Sequence, residues 1–150
     1  MIEFFCAGEV KGKGNSKSIV RSKSGRTFLI EPKRNRDNAM TLAALFSQHA
    51  PAKPLEGPVR VTYQIQYAWR KGDSAKVRAM GMVPKATRPD LGQLEKQIDD
   101  ACQAAGLIVD DSQIVRRCDS FAGIPLKNYL QHGKFFADSP GLHVRIEPLT

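Results

Sequence analysis

The sequence predicts an α+β fold, a single domain in which a mixed β-sheet packs against two main helices. Three observations predict it. Residues 59–69 (V-R-V-T-Y-Q-I-Q-Y-A-W) alternate apolar and polar side chains without a fault, which is the period of a strand with one face buried. Two segments, from about residue 35 to 49 and from 91 to 105, place their apolar residues at helical spacing. Shorter β-favouring runs lie near both ends of the chain, and 150 residues suffice for one core and one domain spanning 1–150.

The elements follow in chain order. I-E-F-F-C-A at residues 2–7 is apolar enough for a first strand, and the following K-G-K-G-N-S-K cannot pack, so it is a loop. S-I-V-R-S-K-S-G-R-T-F-L-I at 18–30 is a hairpin with Gly25 at its turn. Leu42, Leu45, Phe46 and His49 form the stripe of an amphipathic helix that starts at Asn35 or Asp37 and ends before Pro51 and Pro54. His49 on that stripe is a packed or boundary histidine, since no second ligand-type residue accompanies it in sequence.

Val59, Val61, Tyr63, Ile65, Tyr67 and Trp69 share the buried face of the central strand, an aromatic set that belongs to a core and not to a base-stacking platform. Residues 70–88 hold no sustained period and read as a long, flexible basic loop. Leu91, Leu94, Ile98, Ala101, Cys102 and Ala105 line one face of the second helix, which Gly106 stops. A strand from Ser112 towards Phe121 and a last strand at 142–148 complete the pattern, while 123–141 has no legible assignment.

Composition narrows the partners. With 23 Lys and Arg against 15 Asp and Glu the formal charge is +8, which points to a polyphosphate or another acidic surface. The positive charge is clustered. Nine basic residues and one acid lie in an arm from about 11 to 36, and six basic residues and one acid lie in the 70–88 loop. Candidate phosphate contacts are Lys11, Lys13, Lys17, Arg21, Lys23 and Arg26 of the arm, and Arg70, Lys71, Lys76, Arg78, Lys85 and Arg88 of the loop. A solvated arm with no ligand explains the first cluster about as well. Three widely spaced cysteines (Cys6, Cys102, Cys118) form neither a zinc motif nor a disulfide framework and read as buried side chains of a reducing cytosol. The chain lacks a signal-like start and any apolar run of about 20 residues, so no membrane role is expected.

Residues 90–114, D-L-G-Q-L-E-K-Q-I-D-D-A-C-Q-A-A-G-L-I-V-D-D-S-Q-I, break the basic pattern. Six of the 15 acidic residues fall here: Asp90, Glu95, Asp99, Asp100, Asp110 and Asp111. Carboxylates gathered in a cationic protein suit a divalent metal facing a phosphodiester, because hard oxygen ligands hold Mg²⁺ and the ion offsets charge in phosphoryl transfer. Plainer roles compete at each position. Asp90 is placed to cap the helix, Lys96 and Asp100 can form an i, i+4 pair, and adjacent aspartates often mark a turn.

The whole run resembles the signature of the RusA-type Holliday-junction resolvases, small dimeric endonucleases of phages and prophages. Their pattern is roughly D-x-D-N-L-x-K, a helix containing D-A, a glycine turn and D-D-x-Q-[VI]. Asp90, Leu94, Lys96, Asp100-Ala101, Gly106, Asp110-Asp111 and Gln113-Ile114 fall in register with it. The resemblance implies a RusA-like fold, a homodimer and Mg²⁺- or Mn²⁺-dependent cleavage of four-way DNA junctions in the cytoplasm of a bacterial or phage-infected cell. It further implies that Asp90 and Asp111 are metal-binding catalytic aspartates, that Asp110 is a further metal ligand and that Lys96 is a catalytic lysine. Asp100 and Glu95 would support the site from behind. Gly92 and Gln93 stand where the pattern has aspartate and asparagine. That departure keeps two alternatives open: a junction-binding protein of the same fold with impaired catalysis, and a general basic nucleic-acid-binding module.

Overall fold

The computed structural model describes residues 1–12, 18–30, 33–117 and 130–150. Its main sheet is ordered β1-β8-β4-β7-β5, with β6 also paired to β4. The alternating segment forms the central strand β4 (Val59–Ala68). One side of β4 carries β8 (Gly141–Pro148), antiparallel, and β8 in turn carries β1 (Ile2–Ala7). The other side is shared by two parallel partners. β6 (Ile114–Arg117) pairs with the start of β4, and β7 (Gly133–Ala137) with its end from Gln64 to Ala68. The expected hairpin is present as a separate pair, β2 (Ser18–Arg21) with β3 (Thr27–Ile30), and Gly25 at its turn has φ +84°, a backbone state that glycine adopts without strain.

Helices α1 (Lys33–Ser47) and α3 (Leu91–Ala104) pack on each other and on one face of the sheet. Phe4, Tyr63, Ile65, Val144 and Ile146 of the sheet meet Leu42, Phe46, Leu94, Ile98 and Cys102 of the helices in one core. Alternation along β7 sends Phe136 into that core and Phe135 and Ala137 into a smaller cluster with Met82. His49 follows α1 and, though exposed, stacks on Phe4 at 4.3 Å between ring centroids, a histidine at the boundary of the core. Gly141 is required by close approach. A Cβ there would lie 2.2 Å from Phe5 Cζ and 2.6 Å from the Cys6 carbonyl oxygen, where β8 crosses the end of β1.

The structure departs from the sequence expectation at residues 70–88, 112–113 and 123–141: Ser112 and Gln113, expected to begin a strand, lie in a 3-10 turn, and that strand starts at Ile114. Residues 70–88 are not one loop: they contain a one-turn helix, α2 (Ala75–Arg78), capped by Ser74, and a three-residue strand, β5 (Met82–Pro84), hydrogen-bonded to β7. The stretch from 123 to 141, left without assignment, contains β7 itself. Lys13, Lys17 and Cys118, and the end of the strand expected to reach Phe121, lie outside the described residues. Cys6 and Cys102 are buried free thiols. Among the described residues no helix is long and apolar enough to cross a membrane.

Candidate active site

The acidic motif converges because α3 and the turn after it are pinned to each other. Gly106, at φ +78°, ends the helix, and Leu107 and Ile108 bury themselves beside Leu55. The chain then enters a single 3-10 turn at Asp111–Gln113. Gln113 fixes that turn from both sides. Its Oε1 accepts from the backbone N–H of Val109 and Asp110, both at 2.8 Å, and its Nε2 donates to the carbonyls of Leu55 and Gly57 at 3.0 and 2.8 Å. Gln103 of α3 accepts from the Asp111 N–H at 3.1 Å. The glutamine after the paired aspartates therefore sets where they point.

Lys96 closes the site. Its ammonium lies 2.8 Å from Asp100 Oδ1, one turn along α3, and 2.7 Å from Asp111 Oδ2, on the neighbouring turn. Its hydrogen bonds to Asp100 and then Asp111 hold its pKa well above the ordinary lysine range, so it stays charged. Asp110 is the cap of the 3-10 turn, accepting from Ser112 N at 2.8 Å. The Ser112 hydroxyl and N–H, with a smaller contribution from Lys96, keep its carboxyl below the usual range. Two carboxylates thus hold one ammonium, with Asp110 close enough to feel its charge, which leaves the spot net negative inside a cationic chain.

Asp90 occupies the N-cap position of α3 with extended backbone (φ −68°, ψ 137°), yet its side chain makes no capping hydrogen bond. The capping role open to it in sequence is therefore not how its exposed carboxylate is used. Gly92, on the first turn, has open space where a Cβ would sit.

Sequence reasoning missed a second polar cluster directly behind the first. Asp99, 8% exposed, receives Arg117 Nη1 and Nη2 at 3.2 and 2.7 Å and the Tyr63 hydroxyl at 2.8 Å. Arg117 Nε also reaches Glu95, whose Oε2 lies 3.3 Å from His132 Nε2. The Tyr63 N–H donates to His132 Nδ1 at 3.0 Å, which places the proton of the neutral ring on Nε2, facing Glu95. Burial lowers the His132 pKa, so that ring is neutral near pH 7. Burial also pushes the Cys102 thiol up to about 12, which excludes it as a nucleophile. Asp99, Arg116, Arg117 and Asp111 border a shallow cleft of about 230 Å³. A sequence signal for this cluster did exist. Glu95 and Asp99 are like charges at i, i+4, a spacing that repels unless a cation from elsewhere sits between them.

The residues expected to contact phosphate divide into groups. Lys11, Arg21, Lys23, Arg26, Lys71, Lys76 and Arg88 are exposed. Arg70 pairs with Asp73 at 3.0 Å, and Arg78 donates to the carbonyls of Asp73 and Arg70, so both are partly engaged in shaping their own loop. Lys85 is half-buried over the rings of Tyr67 and Phe136, 5.1 and 4.9 Å from their centroids.

Among the described residues no three His, Cys, Asp or Glu side chains close into a metal cage. Magnesium does not require one. It commonly keeps several waters and is held by one or two carboxylates together with substrate phosphate oxygens. Asp90 offers a carboxylate unused as a cap, and Asp111 one whose Oδ2 meets Lys96; both are oxygen donors of the type such an ion takes. Compared with known families, residues 8–147 match the family described as endodeoxyribonuclease RusA. No curated protein matches the chain.

Proposed function

Because that match spans nearly the whole chain, the protein belongs to the RusA family of junction-resolving endodeoxyribonucleases, and from this premise we propose that it cuts four-way DNA junctions by metal-dependent hydrolysis. The observation that carries the proposal is the Lys96 ammonium placed on Asp111, 15 residues away in sequence, at 2.7 Å. Asp90 and Asp111 would hold the cation, Mg²⁺ or Mn²⁺, with Asp110 beside them. Bound there, it would supply Lewis acidity to the phosphodiester and a more acidic water.

The chain's own residues do the rest. An ammonium has three hydrogens, and Lys96 directs two at Asp100 and Asp111, leaving the third for a non-bridging phosphate oxygen as charge builds on it. Water oxygen bonds to phosphorus as one P–O ester bond breaks, giving a phosphate monoester and a hydroxyl. Glu95 and Asp99, anchored on Arg117, hold the α3 backbone on which Lys96 sits. The exposed cations of the arm and of residues 70–88 grip the backbone phosphates without reading bases. A homodimer would present two such sites about a two-fold axis, matching paired nicks in a roughly symmetric junction in a bacterial or phage-infected cytoplasm. With the metal chelated, the protein is expected to bind a synthetic four-way junction at least about tenfold more tightly than a linear duplex, with the logarithm of the association constant falling steeply against the logarithm of salt. Equal affinities, or affinity indifferent to salt, would contradict the proposal.

Gly92 favours a second reading, a junction binder with weakened catalysis. The expected result for Gly92→Asp separates the two. A carboxylate there meets open space on the first turn of α3, where a negative charge is favoured by the helix dipole. Cleavage should rise about tenfold, equivalent to roughly 1.4 kcal/mol of transition-state stabilisation, and half-maximal activity should come at lower metal concentration. Removing a helical glycine should also add about 0.4–1 kcal/mol of stability in urea unfolding. An unchanged rate and unchanged metal dependence would show that position 92 takes no part in the site.

A further inference from the structure

No capping bond restrains the Asp90 side chain, so the direction of its Cα–Cβ bond, which the backbone sets, limits where its carboxylate can reach. What restrains the backbone is asymmetric. On the C-terminal side α3 takes over, with Leu94 N donating to the Asp90 carbonyl at 3.1 Å. On the N-terminal side residues 85–89 have no helix or strand of their own beyond β5, and Lys134 of β7 holds them at three points. Its backbone carbonyl accepts from Lys85 N at 3.0 Å. Its ammonium donates to the carbonyls of Thr87 and Pro89, each at 2.6 Å. The Pro89 carbonyl belongs to the peptide plane whose nitrogen is that of Asp90, so fixing it fixes the axis about which the Asp90 Cα–Cβ bond turns. The Pro89 ring is also closely approached by Gly12, where a Cβ would lie 2.6 Å from Pro89 Cβ and 2.9 Å from Cγ. Pro89 is therefore in contact with both the root of the basic arm and β7.

We infer that Lys134 is a positioning residue for Asp90: it orders the loop ahead of α3 so that the carboxylate projects in one direction. The inference rests on the role proposed above for Asp90. Lys134 differs in kind from the phosphate-gripping cations, because two of its three hydrogens are committed to main-chain carbonyls.

Lys134→Met keeps the shape of the side chain and removes every donor, whereas Lys134→Arg keeps donors that can reach carbonyls. Three readouts test the inference: amide hydrogen exchange across residues 85–94, single-turnover cleavage of fully bound junction, and junction affinity against salt. For Lys134→Met, exchange in 85–94 should quicken at least about tenfold while residues 97–106 of α3 stay unchanged. Cleavage of bound junction should fall roughly 10- to 100-fold. Affinity should stay within about twofold and its salt slope should not change. Lys134→Arg should recover most of the cleavage rate, and Gly12→Ala, whose Cβ would collide with the Pro89 ring, should slow cleavage as Lys134→Met does. Unchanged exchange and cleavage in Lys134→Met would overturn the inference. So would a loss of affinity with a salt slope shallower by about one, the mark of a phosphate contact. If the unsubstituted protein cuts no junction, the functional reading fails by itself, and the exchange comparison between Lys134→Met and Lys134→Arg still decides whether the clamp exists.

Discussion

Asp111→Asn is expected to reduce junction cleavage roughly a thousandfold, equivalent to about 4 kcal/mol of transition-state stabilisation, while leaving junction binding intact or tighter. The substitution removes a charged oxygen donor and a charge that repels DNA, but it keeps the shape of the side chain. The backbone of the turn is unaffected, since Gln103 still receives the residue 111 N–H and Gln113 still receives the two amides before it. The exposed pair with Lys96 is worth about 1 kcal/mol or less, so the fold should survive. Asp110→Asn is the internal control. Its carboxylate caps Ser112 N, a role asparagine fills nearly as well, so its effect on cleavage should be smaller than that of Asp111→Asn. Loss of folding and binding together with activity in Asp111→Asn would reassign Asp111 to a structural turn.

The second large effect is on stability. Arg117→Leu should cost about 3 kcal/mol in urea unfolding at neutral pH and lower the melting temperature by roughly 10 °C, because it strands a buried carboxylate. Asp99 keeps the Tyr63 hydroxyl but loses both guanidinium contacts, and Glu95 loses its partner beside a neutral His132. The Arg117 side chain is 30% exposed, which keeps the cost below that of a fully enclosed pair. Asp99→Leu combined with Arg117→Leu should regain at least about half of the loss, since matched apolar groups remove the stranded charge. A single-variant loss within about 0.5 kcal/mol, or a double variant no better than the single one, would show that the cluster carries little of the stability.

What the sequence made legible follows how local each determinant is. The ten-residue alternation of β4 and the apolar stripe of α3 were readable because each element carries its own period, and Gly106 and Gly25 announced their turns by needing positive φ. β7 was not readable. G-K-F-F-A neither alternates nor runs long, and it is a strand because β4 and β5 flank it. The same pairing makes a strand of M-V-P inside a segment that looks like pure loop. In the candidate site, spacing singled out the paired aspartates, Lys96 and Asp90 as candidates and offered the Lys96–Asp100 pair, but it did not point to the contact between Lys96 and Asp111. Asp99 stood in the sequence only as one of six acidic residues in the 90–114 run. Its burial is decided by Tyr63, 36 residues earlier, and Arg117, 18 residues later, which no local pattern connects. Lys134 was hidden for the same reason, 45 residues from the carbonyl it holds.

The central claim is that Asp90, Lys96 and Asp111, borne by α3 and the turn after it, cut branched DNA, and strand-resolved nicking of an immobile four-way junction tests it most directly. Junction and linear duplex of matching sequence are each incubated with the protein, with Mg²⁺ or Mn²⁺ and with chelator. The expected result is paired nicks at symmetry-related positions in two opposing strands of the junction, present only with metal, with the duplex left whole. The absence of metal-dependent nicks with both the native protein and Gly92→Asp, or equal cutting of junction and duplex, would contradict it.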